Sequence, residues 1–514
     1  MLKNWFQKGI QTFSSDKNCV NRDGYIRRAP IVALLVFSMF VVEMGALLRN
    51  SQVSVSANEV VAKYEEEAMV RVSKNTIVMG DIYDSKGVPL LSYEKPLSQD
   101  HGTYADNYIY SSVIGYCQMG NKGGLAGKYQ PLLIMTSDSE DTKGYSMYLT
   151  LEHELQKKVY EELSSCIGSD GRGSMVVLDA DTGKILSMVS MPVYDASNIS
   201  EEAKWMNDEE KSNGVWYPLA TKGMIAPGST FKLLSAIALI ESGREDFTTA
   251  DDTSYQGSGY VINNYSSYRS SPNPIGYRGA LKKSSNVFFV KALVQEEDTR
   301  ERITEIASRL YLGTPLNLDF GVVTSTFTYT DDIWEQVLQK TYFNEERELA
   351  TTLFGQSEVR MSSLQGAMMA AGFINHGVIM TPYMIESVRD SRGNEQNLSK
   401  IMEHFNEKMV SEKDTALSVL TDPSTAEKIL DAMKYAATEQ YHFSPDLGVA
   451  AKSGTSETGN TGNAGNNSWM VSCAEINGHC YAIAINWANA AAGTQGKDMK
   501  VPVENVFRYL KNQQ

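Results

Sequence analysis

The sequence lacks the residues that hold disulfide-rich and metal-bound proteins together. It contains five cysteines in 514 residues, too few for a disulfide scaffold. Its six histidines are scattered without the spacing of metal ligands, so we predict no metal site. An excess of basic residues is also missing, because the net charge is −15. A surface that binds phosphates would be basic, so the charge argues against nucleic acid as a partner.

Two of the few cysteines flank a hairpin signal. Cys473 and Cys480 lie on either side of Ile476-Asn477-Gly478, between two apolar runs. They could face each other across the hairpin, but a two-residue Asn-Gly turn would put them out of register by one pair. A bonded pair and two unpaired thiols therefore both stay open.

One long apolar run interrupts the mixed composition, at residues 29–48. Its length suits a helix that crosses a bilayer. Six basic residues precede it, so the positive-inside rule places the short N-terminus in the cytoplasm and the chain after Arg49 outside. Glu43 is a costly residue in such a helix, and it could reach the interface or pair with another membrane helix. A signal peptide cleaved near Val55-Ser56-Ala57 is the alternative, but the long basic segment and Arg49 favour a retained anchor.

The most informative segment is Ser229-Thr230-Phe231-Lys232, which follows the chain break Pro227-Gly228. The residues after it are apolar on every side, so we predict that Ser229 opens a buried core helix. One helical turn separates its hydroxyl from the Lys232 amine. Burial lowers the pKa of a lysine, and a neutral amine can accept the serine proton. An N-capping serine followed by a lysine that reaches solvent is the alternative.

Two further motifs follow at wide spacing. Ser284-Ser285-Asn286 interrupts basic and apolar residues, which suits a loop that projects a hydroxyl and an amide into a cleft. A helix N-cap before Val287 is the alternative. Lys452-Ser453-Gly454-Thr455 lies in a short strand-like run. An edge strand there could offer N–H groups to an oxyanion, and the Lys452 and Thr455 side chains to a carboxylate.

The three segments spell S-x-x-K, S-x-N and K-S-G, and in this order they resemble the transpeptidase domain of class B penicillin-binding proteins. The resemblance covers residues 146–510 well and residues 70–130 more loosely. Residues 177–188 are similar to the family's VLDPxTGxILAM hairpin. Phe354-Gly355-Gln356-Ser357 is similar to its GQG segment, with Ser357 in place of the second glycine.

The resemblance implies a role for each residue of the first two motifs. Ser229 is the acylated nucleophile, and Lys232 is the general base for acylation. Ser284 relays a proton toward the leaving amine, and Asn286 holds the donor peptide. No cofactor is expected.

The third motif is expected to bind substrate. Lys452 and Thr455 would hold the terminal carboxylate of the donor, on a strand that includes Ser453 and Gly454. The backbone N–H groups of Ser229 and Thr455 would form the oxyanion hole. The serine in K-S-G differs from the commoner threonine by a methyl group, which the family tolerates.

The resemblance and the local patterns divide the chain into four parts. These are a cytoplasmic N-terminus at residues 1–28, a transmembrane anchor at 29–49, a juxtamembrane helix with a short pedestal domain at 50–145, and the transpeptidase domain at 146–514. The expected fold class is α+β, with helices packed on an antiparallel sheet. Thr150 is the predicted N-cap of the first helix of the transpeptidase domain, and residues 456–468 are a predicted mobile loop.

The implied function is a membrane-anchored D,D-transpeptidase that cross-links peptidoglycan stem peptides outside the cytoplasmic membrane and is acylated by β-lactams. A D,D-carboxypeptidase, with water as the acceptor, is the alternative among enzymes. A β-lactam sensor and a non-catalytic division scaffold are alternatives of another class. The intact motifs argue against a scaffold, and sensors normally carry more membrane helices. The resemblance also implies a partner, a polytopic glycosyltransferase of the shape, elongation, division and sporulation family.

Overall fold

The structure of the chain is a computed structural model. It describes residues 77–513, apart from 97–98, 119–120, 138–140, 209–210, 328–344, 405–412, 458–464 and 492. The predicted anchor and juxtamembrane helix lie outside the described residues. Within the described part, no helix has the length and apolar character needed to cross a bilayer.

Seventeen strands are found among the described residues. They are β1 Ile82–Tyr83, β2 Pro89–Ser92, β3 Thr103–Tyr104, β4 Tyr116–Gln118, β5 Asn121–Gly123, β6 Ser146–Leu149, β7 Arg172–Asp179, β8 Ile185–Met191, β9 Ser254–Gly257, β10 Tyr260–Asn263, β11 Val378–Met380, β12 Ile385–Arg389, β13 Glu395–Gln396, β14 Ala416–Val419, β15 Ala450–Glu457, β16 Asn466–Ile476 and β17 His479–Ala490.

Most helices lie between the strands at the two ends of the chain. They are α1 Gly124–Lys128, α2 Gln130–Leu133, α3 His153–Ile167, α4 Ile199–Met206, α5 Lys232–Glu241, α6 Tyr277–Lys283, α7 Asn286–Leu293, α8 Thr299–Arg309, α9 Glu345–Thr352, α10 Ser363–Ile374, α11 Leu398–His404, α12 Pro423–Glu439 and α13 Lys500–Lys511. Short 3₁₀ turns occur at Ala196–Asn198, Gly228–Phe231, Pro445–Leu447 and Gly496–Met499.

A five-stranded antiparallel sheet forms the centre of the C-terminal part. Its strand order is β15-β16-β17-β7-β8, which confirms the predicted antiparallel sheet. Neighbouring residues of β16 alternate between two apolar cores, with Val471 in one and Met470 in the other. Helix α10 covers the first face, and α3 and α13 cover the second. Both faces of the sheet are therefore buried, and β15 is one of its edge strands.

The hairpin between β16 and β17 settles the pairing of the two cysteines. Its turn is Asn477-Gly478, with Ile476 opposite His479. Cys473 therefore faces Ala482 across the hairpin, and Cys480 faces Glu475. Both cysteines are free thiols, so the unpaired alternative is confirmed.

A second sheet joins the N-terminal residues to the rest of the chain. It has six strands in the order β13-β12-β6-β1-β2-β3. Strand β1 runs parallel to β6, and the other pairs are antiparallel, so the sheet is mixed. Its strands come from both sides of residue 146, where the sequence pattern places the start of the transpeptidase domain.

The structure corrects two local predictions. The helix expected to start after Thr150 begins at His153, and the Thr150 hydroxyl donates instead to the Ile185 carbonyl, 2.7 Å away. The His153 N–H lies in the first turn of the helix, where no backbone carbonyl of the helix can accept from it. It donates to the carboxylate of Asp84, 69 residues earlier in the chain, at 3.1 Å. The predicted loop at 456–468 is also shorter, because its ends belong to β15 and β16, and residues 458–464 lie outside the described part.

Candidate active site

The first motif begins with a 3₁₀ turn that presents Ser229 at the wall of a cavity of about 690 Å³. Gly228, at φ +54°, makes the break that precedes the serine. The turn leads directly into α5, whose residues Lys232 to Ile240 are all buried. The predicted core helix is confirmed, with the difference that its first turn is 3₁₀.

Lys232 lies against the serine with no exposed surface. Its Nζ is 2.8 Å from Ser229 Oγ, 2.6 Å from the Ser284 carbonyl oxygen and 3.3 Å from Ser284 Oγ. Burial lowers the pKa of the Lys232 amine well below its usual range, and the charge of Lys452 lowers it further. A neutral amine has two N–H groups and one lone pair. Two donations to Ser284 would leave the lone pair for the Ser229 proton.

The second motif is a break between two helices. Ser284 ends α6 in the left-handed conformation, at φ 60° and ψ 41°. Ser285 is the N-cap of α7 and accepts from the Phe288 N–H at 3.1 Å. The predicted projecting hydroxyl and the alternative N-cap are therefore both present, on neighbouring serines. Because Ser285 supplies the cap, the Ser284 hydroxyl is left for the cavity.

Asn264 supports this break, although no sequence motif indicated it. Its Oδ1 accepts from the backbone N–H groups of Asn286, at 2.6 Å, and Val287, at 3.1 Å. The Asn286 side chain donates to the Asn263 carbonyl at 2.9 Å. The end of β10 therefore fixes the amide of the second motif at the cavity wall.

The third motif lies on β15, which is an edge strand as predicted. Fully buried Lys452 places its Nζ 3.0 Å from Ser284 Oγ. Ser453 and Thr455 line the cavity. Gly454 allows the strand to pack on the serine turn, because a Cβ there would lie 2.3 Å from the Pro227 carbonyl oxygen. The structure thus brings all three motifs together, with Ser284 Oγ between the two lysines.

Tyr441 is a further polar group at the site that the motifs missed. Its Oη accepts from the Ser453 N–H at 3.1 Å and from Ser453 Oγ at 2.9 Å. Lys452 Nζ lies 3.4 Å from the same oxygen. The residue follows the long helix α12, and its position in the sequence gives no sign of this contact.

The segment that resembles GQG supports the serine turn from behind. Gly355, at φ +74°, accepts from the Gly228 N–H at 2.9 Å. A Cβ on Gly355 would lie 2.1 Å from the Gly228 carbonyl oxygen, so glycine is required. Ser357 adopts φ +63°, a region that favours glycine, and its hydroxyl donates to Glu348. The serine therefore takes the backbone conformation expected of the glycine it replaces.

An ion pair holds another wall of the cavity. The Asp251 carboxylate is fully buried and accepts from Lys283 Nζ, from the Tyr268 hydroxyl and from the Ser271 N–H. Burial alone would raise the pKa of Asp251, but Lys283, Tyr268 and Ser271 together lower it. Since Tyr268 and Lys283 line the cavity, Asp251 fixes the shape of this wall.

Comparison with known proteins places this geometry in a family. The model of the penicillin binding protein transpeptidase domain matches residues 173–508. Peptidoglycan D,D-transpeptidase PbpA of Mycolicibacterium smegmatis is 25% identical over 382 residues, which cover 69% of this chain and 72% of that protein. A peptidoglycan D,D-transpeptidase FtsI homolog of Chlorokybus atmophyticus is 30% identical over 336 residues, covering 58% of this chain and 46% of that protein.

Solved structures show the same fold. Penicillin-binding protein A from Mycobacterium tuberculosis, a ceftriaxone acyl-enzyme complex, superposes with a TM-score of 0.70 at 20% identity, covering 86% of this chain and all of that one (100%). The D,D-transpeptidase domain of a peptidoglycan glycosyltransferase from Eggerthella lenta gives a TM-score of 0.68 at 22% identity, covering 85% and 98%. The chain belongs to the penicillin-binding protein transpeptidase family, and within it to the class B type.

Proposed function

We propose that this chain is a peptidoglycan D,D-transpeptidase that works through an acyl-enzyme on Ser229. The observation that carries the proposal is the pair of contacts around Lys232: its buried Nζ lies 2.8 Å from the Ser229 hydroxyl and 3.3 Å from the Ser284 hydroxyl. Family membership and the names of the relatives, peptidoglycan D,D-transpeptidases, support the same activity.

In the proposed acylation, Ser229 Oγ attacks the carbonyl carbon of the D-Ala-D-Ala amide and passes its proton to the neutral Lys232 amine. The carbon–nitrogen bond then breaks. The proton moves from Lys232 through the Ser284 hydroxyl to the leaving D-alanine amine. The order of contacts supports this path, because Ser284 Oγ lies within 3.3 Å of Lys232 Nζ.

Binding of the donor falls to the third motif and to Asn286. Lys452 and Thr455 would hold the terminal carboxylate, and Asn286 would hold the donor peptide. The backbone N–H groups of Ser229 and Thr455 would stabilise the oxyanion. An amine of a second stem peptide then attacks the ester carbonyl, forms the cross-link and frees Ser229.

Intact-mass measurement with a labelled penicillin tests the proposal. With Lys232 as the one base evident among the described residues of the site, water should attack the ester slowly, so we expect an adduct on Ser229 that lasts for minutes and is absent in Ser229→Ala. Rapid return to the unmodified mass with hydrolysed drug would identify a β-lactamase instead. Failure to form any adduct would favour the non-catalytic scaffold.

A second assay separates cross-linking from hydrolysis. The purified chain is given a stem-peptide donor with and without an amine acceptor. A transpeptidase makes the new amide in the presence of the acceptor, whereas a D,D-carboxypeptidase releases D-alanine and the shortened peptide alone. A chain that is acylated but never releases its acyl group would act as a β-lactam sensor.

The cellular placement belongs to the same proposal. Residues 29–49 would anchor the chain in the cytoplasmic membrane, with 1–28 inside, a short pedestal at 50–145 and the transpeptidase domain at 146–514 outside. A glycosyltransferase of the shape, elongation, division and sporulation family would supply the glycan strands. Reporter fusions before residue 25 and after residue 60 should report inside and outside. A mature chain that starts near Asn58 would show a cleaved signal peptide.

A further inference from the structure

The free edge of β15 is closed at one point by side chains of this chain. In the described part, β15 pairs with β16 alone, so alternate N–H and C=O groups point away from the sheet. A peptide can add to such an edge as an extra strand. The outward groups of β15 therefore decide how far an added peptide can extend.

Both outward groups of Ser453 are already bonded. Its N–H donates to Tyr441 Oη at 3.1 Å, and its carbonyl oxygen accepts from Lys452 Nζ at 2.8 Å. An added strand that reached Ser453 would have to displace both contacts. The edge is therefore closed at Ser453.

The Tyr441 hydroxyl is held in place by the fold. The Tyr441 N–H donates to the Ala436 carbonyl at 3.1 Å, which ties the residue to the end of α12. Tyr441 as a whole is 7% exposed and belongs to the apolar core that contains Met470. The hydroxyl also accepts from Ser453 Oγ at 2.9 Å. Burial and these hydrogen bonds therefore hold the Tyr441 hydroxyl against Ser453.

The distance from the closed end at Ser453 to the nucleophile is short. Thr455 is the next residue of β15 that faces the same way, and its carbonyl oxygen packs against Gly228, next to Ser229. A strand rises about 3.3 Å per residue, so about 7 Å separates the two levels. A donor that lies antiparallel to β15 points its C-terminal end toward Ser453. One residue beyond the scissile carbonyl fits before the closed end.

We infer that Tyr441 is a specificity-determining residue, which confines the enzyme to acyl donors that end one residue after the scissile bond. This inference rests on the proposed transpeptidase function. The charge at the closed end agrees with it, because fully buried Lys452 has no carboxylate partner among the described residues and lies within 3.4 Å of Tyr441 Oη. A terminal carboxylate would compensate that cation, and a chain that continued would not.

The test compares two synthetic donors on the full-length chain. One ends in D-Ala-D-Ala, and the other carries one further glycine. The rate of Ser229 acylation is measured for each by quenched intact-mass spectrometry, and the ratio of the two rates is the readout. Wild type should prefer the shorter donor strongly. Tyr441→Phe frees the Ser453 N–H for the longer donor, and we expect the ratio to fall about tenfold, the effect of about one hydrogen bond.

Two control variants separate the closed end from other effects. Tyr435→Phe removes a hydroxyl that also accepts from a lysine, Lys282, at 3.1 Å but lies off the strand edge, so its ratio should equal that of wild type. Ser453→Ala removes the serine hydroxyl but keeps the N–H contact with Tyr441, so its ratio should also be kept. Because the readout is a ratio, partial loss of folded protein does not change it.

The outcomes are distinct. An unchanged ratio in Tyr441→Phe, or an equal fall in Ser453→Ala, overturns the inference while the proposed function stands. A wild-type chain that neither donor acylates overturns the proposed function itself. A fall of the rate ratio in Tyr441→Phe, with the ratio kept in the two control variants, supports both the inference and the proposed function.

Discussion

The lysines at the centre of the site and the lysine in its wall differ in whether a carboxylate lies beside them. Lys232 and Lys452 have no exposed surface, and among the described residues neither contacts a carboxylate. Lys283, in the wall, keeps 28% of its side chain exposed and pairs with the fully buried Asp251. The centre therefore holds two amines without a counter-charge, while the wall holds a complete ion pair.

The difference explains which region reacts and which one supports. Burial without a counter-charge disfavours the protonated amine, so the Lys232 pKa falls, as the base of the proposed mechanism requires. The ion pair with Lys283 instead favours the charged form of its partner, and so it lowers the pKa of the Asp251 carboxyl group. In the proposed mechanism the centre exchanges protons, while the ion pair supports the wall of the cavity.

Replacing Lys232 with arginine is expected to have the largest effect, and it tests the difference between the centre and the wall. Lys232→Arg keeps a long basic side chain but cannot lose its proton at accessible pH. We expect penicillin acylation to fall by about 10²–10⁴-fold, the usual contribution of a general base. Lys232→Ala should fail similarly. The measurement is the acylation rate at saturating penicillin, followed by intact mass.

Lys283→Arg is the matched control, because an arginine can keep the ion pair with Asp251. Its acylation rate should change far less than that of Lys232→Arg. Equal losses in the two variants would contradict the distinction between centre and wall. Retention of the rate in Lys232→Arg would remove Lys232 as the base.

The second prediction concerns the backbone that holds the centre. In Gly355→Ala, the new Cβ would lie 2.1 Å from the Gly228 carbonyl oxygen, so the serine turn must move. We expect acylation to fall by about 10²-fold, as for misplaced reacting groups, with a loss of about 1–3 kcal/mol in the free energy of unfolding. Both quantities are measured on the same preparation.

Gly243→Ala separates the contact from the backbone strain. Gly243 has the same φ, +74°, but among the described residues nothing lies within 4 Å of its Cβ position. It should cost about 1 kcal/mol of stability and leave acylation unchanged. If the two variants behaved alike, the contact between Gly355 and Gly228 would have no role in placing Ser229.

The sequence predicted the contact between Ser229 and Lys232 better than the residues that hold the three motifs in place. The reason is how far apart the contacting residues lie in the sequence. Ser229 and Lys232 are one helical turn apart, so their contact follows from local geometry. Tyr441 and Asn264 meet the motifs only through the fold, and neither has a spacing that marks it. A motif indicates the reacting groups and leaves out the residues that orient them.

The same limit appears in the fold. The antiparallel sheet and the hairpin at Asn477-Gly478 follow from alternating apolar residues and a turn signal. The predicted start of α3 was wrong by two residues, because the helix begins at His153, whose N–H donates to Asp84 and not to the expected Thr150 cap. The mixed sheet was also missed, since it pairs β1 with β6, and β6 with β12, across long stretches of chain. Such pairings leave no local pattern.

The third prediction weakens the wall alone. Asp251→Asn removes the charge that pairs with Lys283 and leaves that cation unpaired beside the cavity. We expect a loss of about 1.5–3 kcal/mol in the free energy of unfolding, the range for hydrogen bonds to charged groups. Acylation should fall by less than in Gly355→Ala, because the centre keeps its contacts. Urea unfolding near neutral pH measures the first effect.

The stability of the wild-type chain at acid pH tests the same ion pair. The Asp251 pKa is below its ordinary 3.8 in the folded chain, so its contribution is complete above that value and is lost as the pH falls through the folded pKa. Asp251→Asn should not show this part of the acid destabilisation. A variant with an unchanged acid profile would show that the Asp251 ion pair does not support the wall.

The last prediction concerns stability, and it involves the buried amine at the centre. The Lys232 pKa is well below 10.5 in the folded chain and near 10.5 in the unfolded chain. Between these two values the unfolded chain binds one more proton, so the free energy of unfolding rises with pH. Each unit of pKa difference corresponds to about 1.4 kcal/mol. Burying this amine therefore costs stability at neutral pH, whereas the Asp251 ion pair adds stability there.

Lys232→Met removes the titrating group and keeps an apolar side chain of similar length. We expect the variant to be more stable than wild type near neutral pH and to lack the rise in stability toward alkaline pH, as measured by urea unfolding at several pH values. Lys204→Met, at an exposed position of α4, is the control, and its pH profile should follow that of wild type. A rise in Lys232→Met as steep as in wild type would mean that Lys232 stays protonated in the folded chain. The base would then have to be another group, and the contrast between an uncompensated centre and a compensated wall would no longer explain the chemistry.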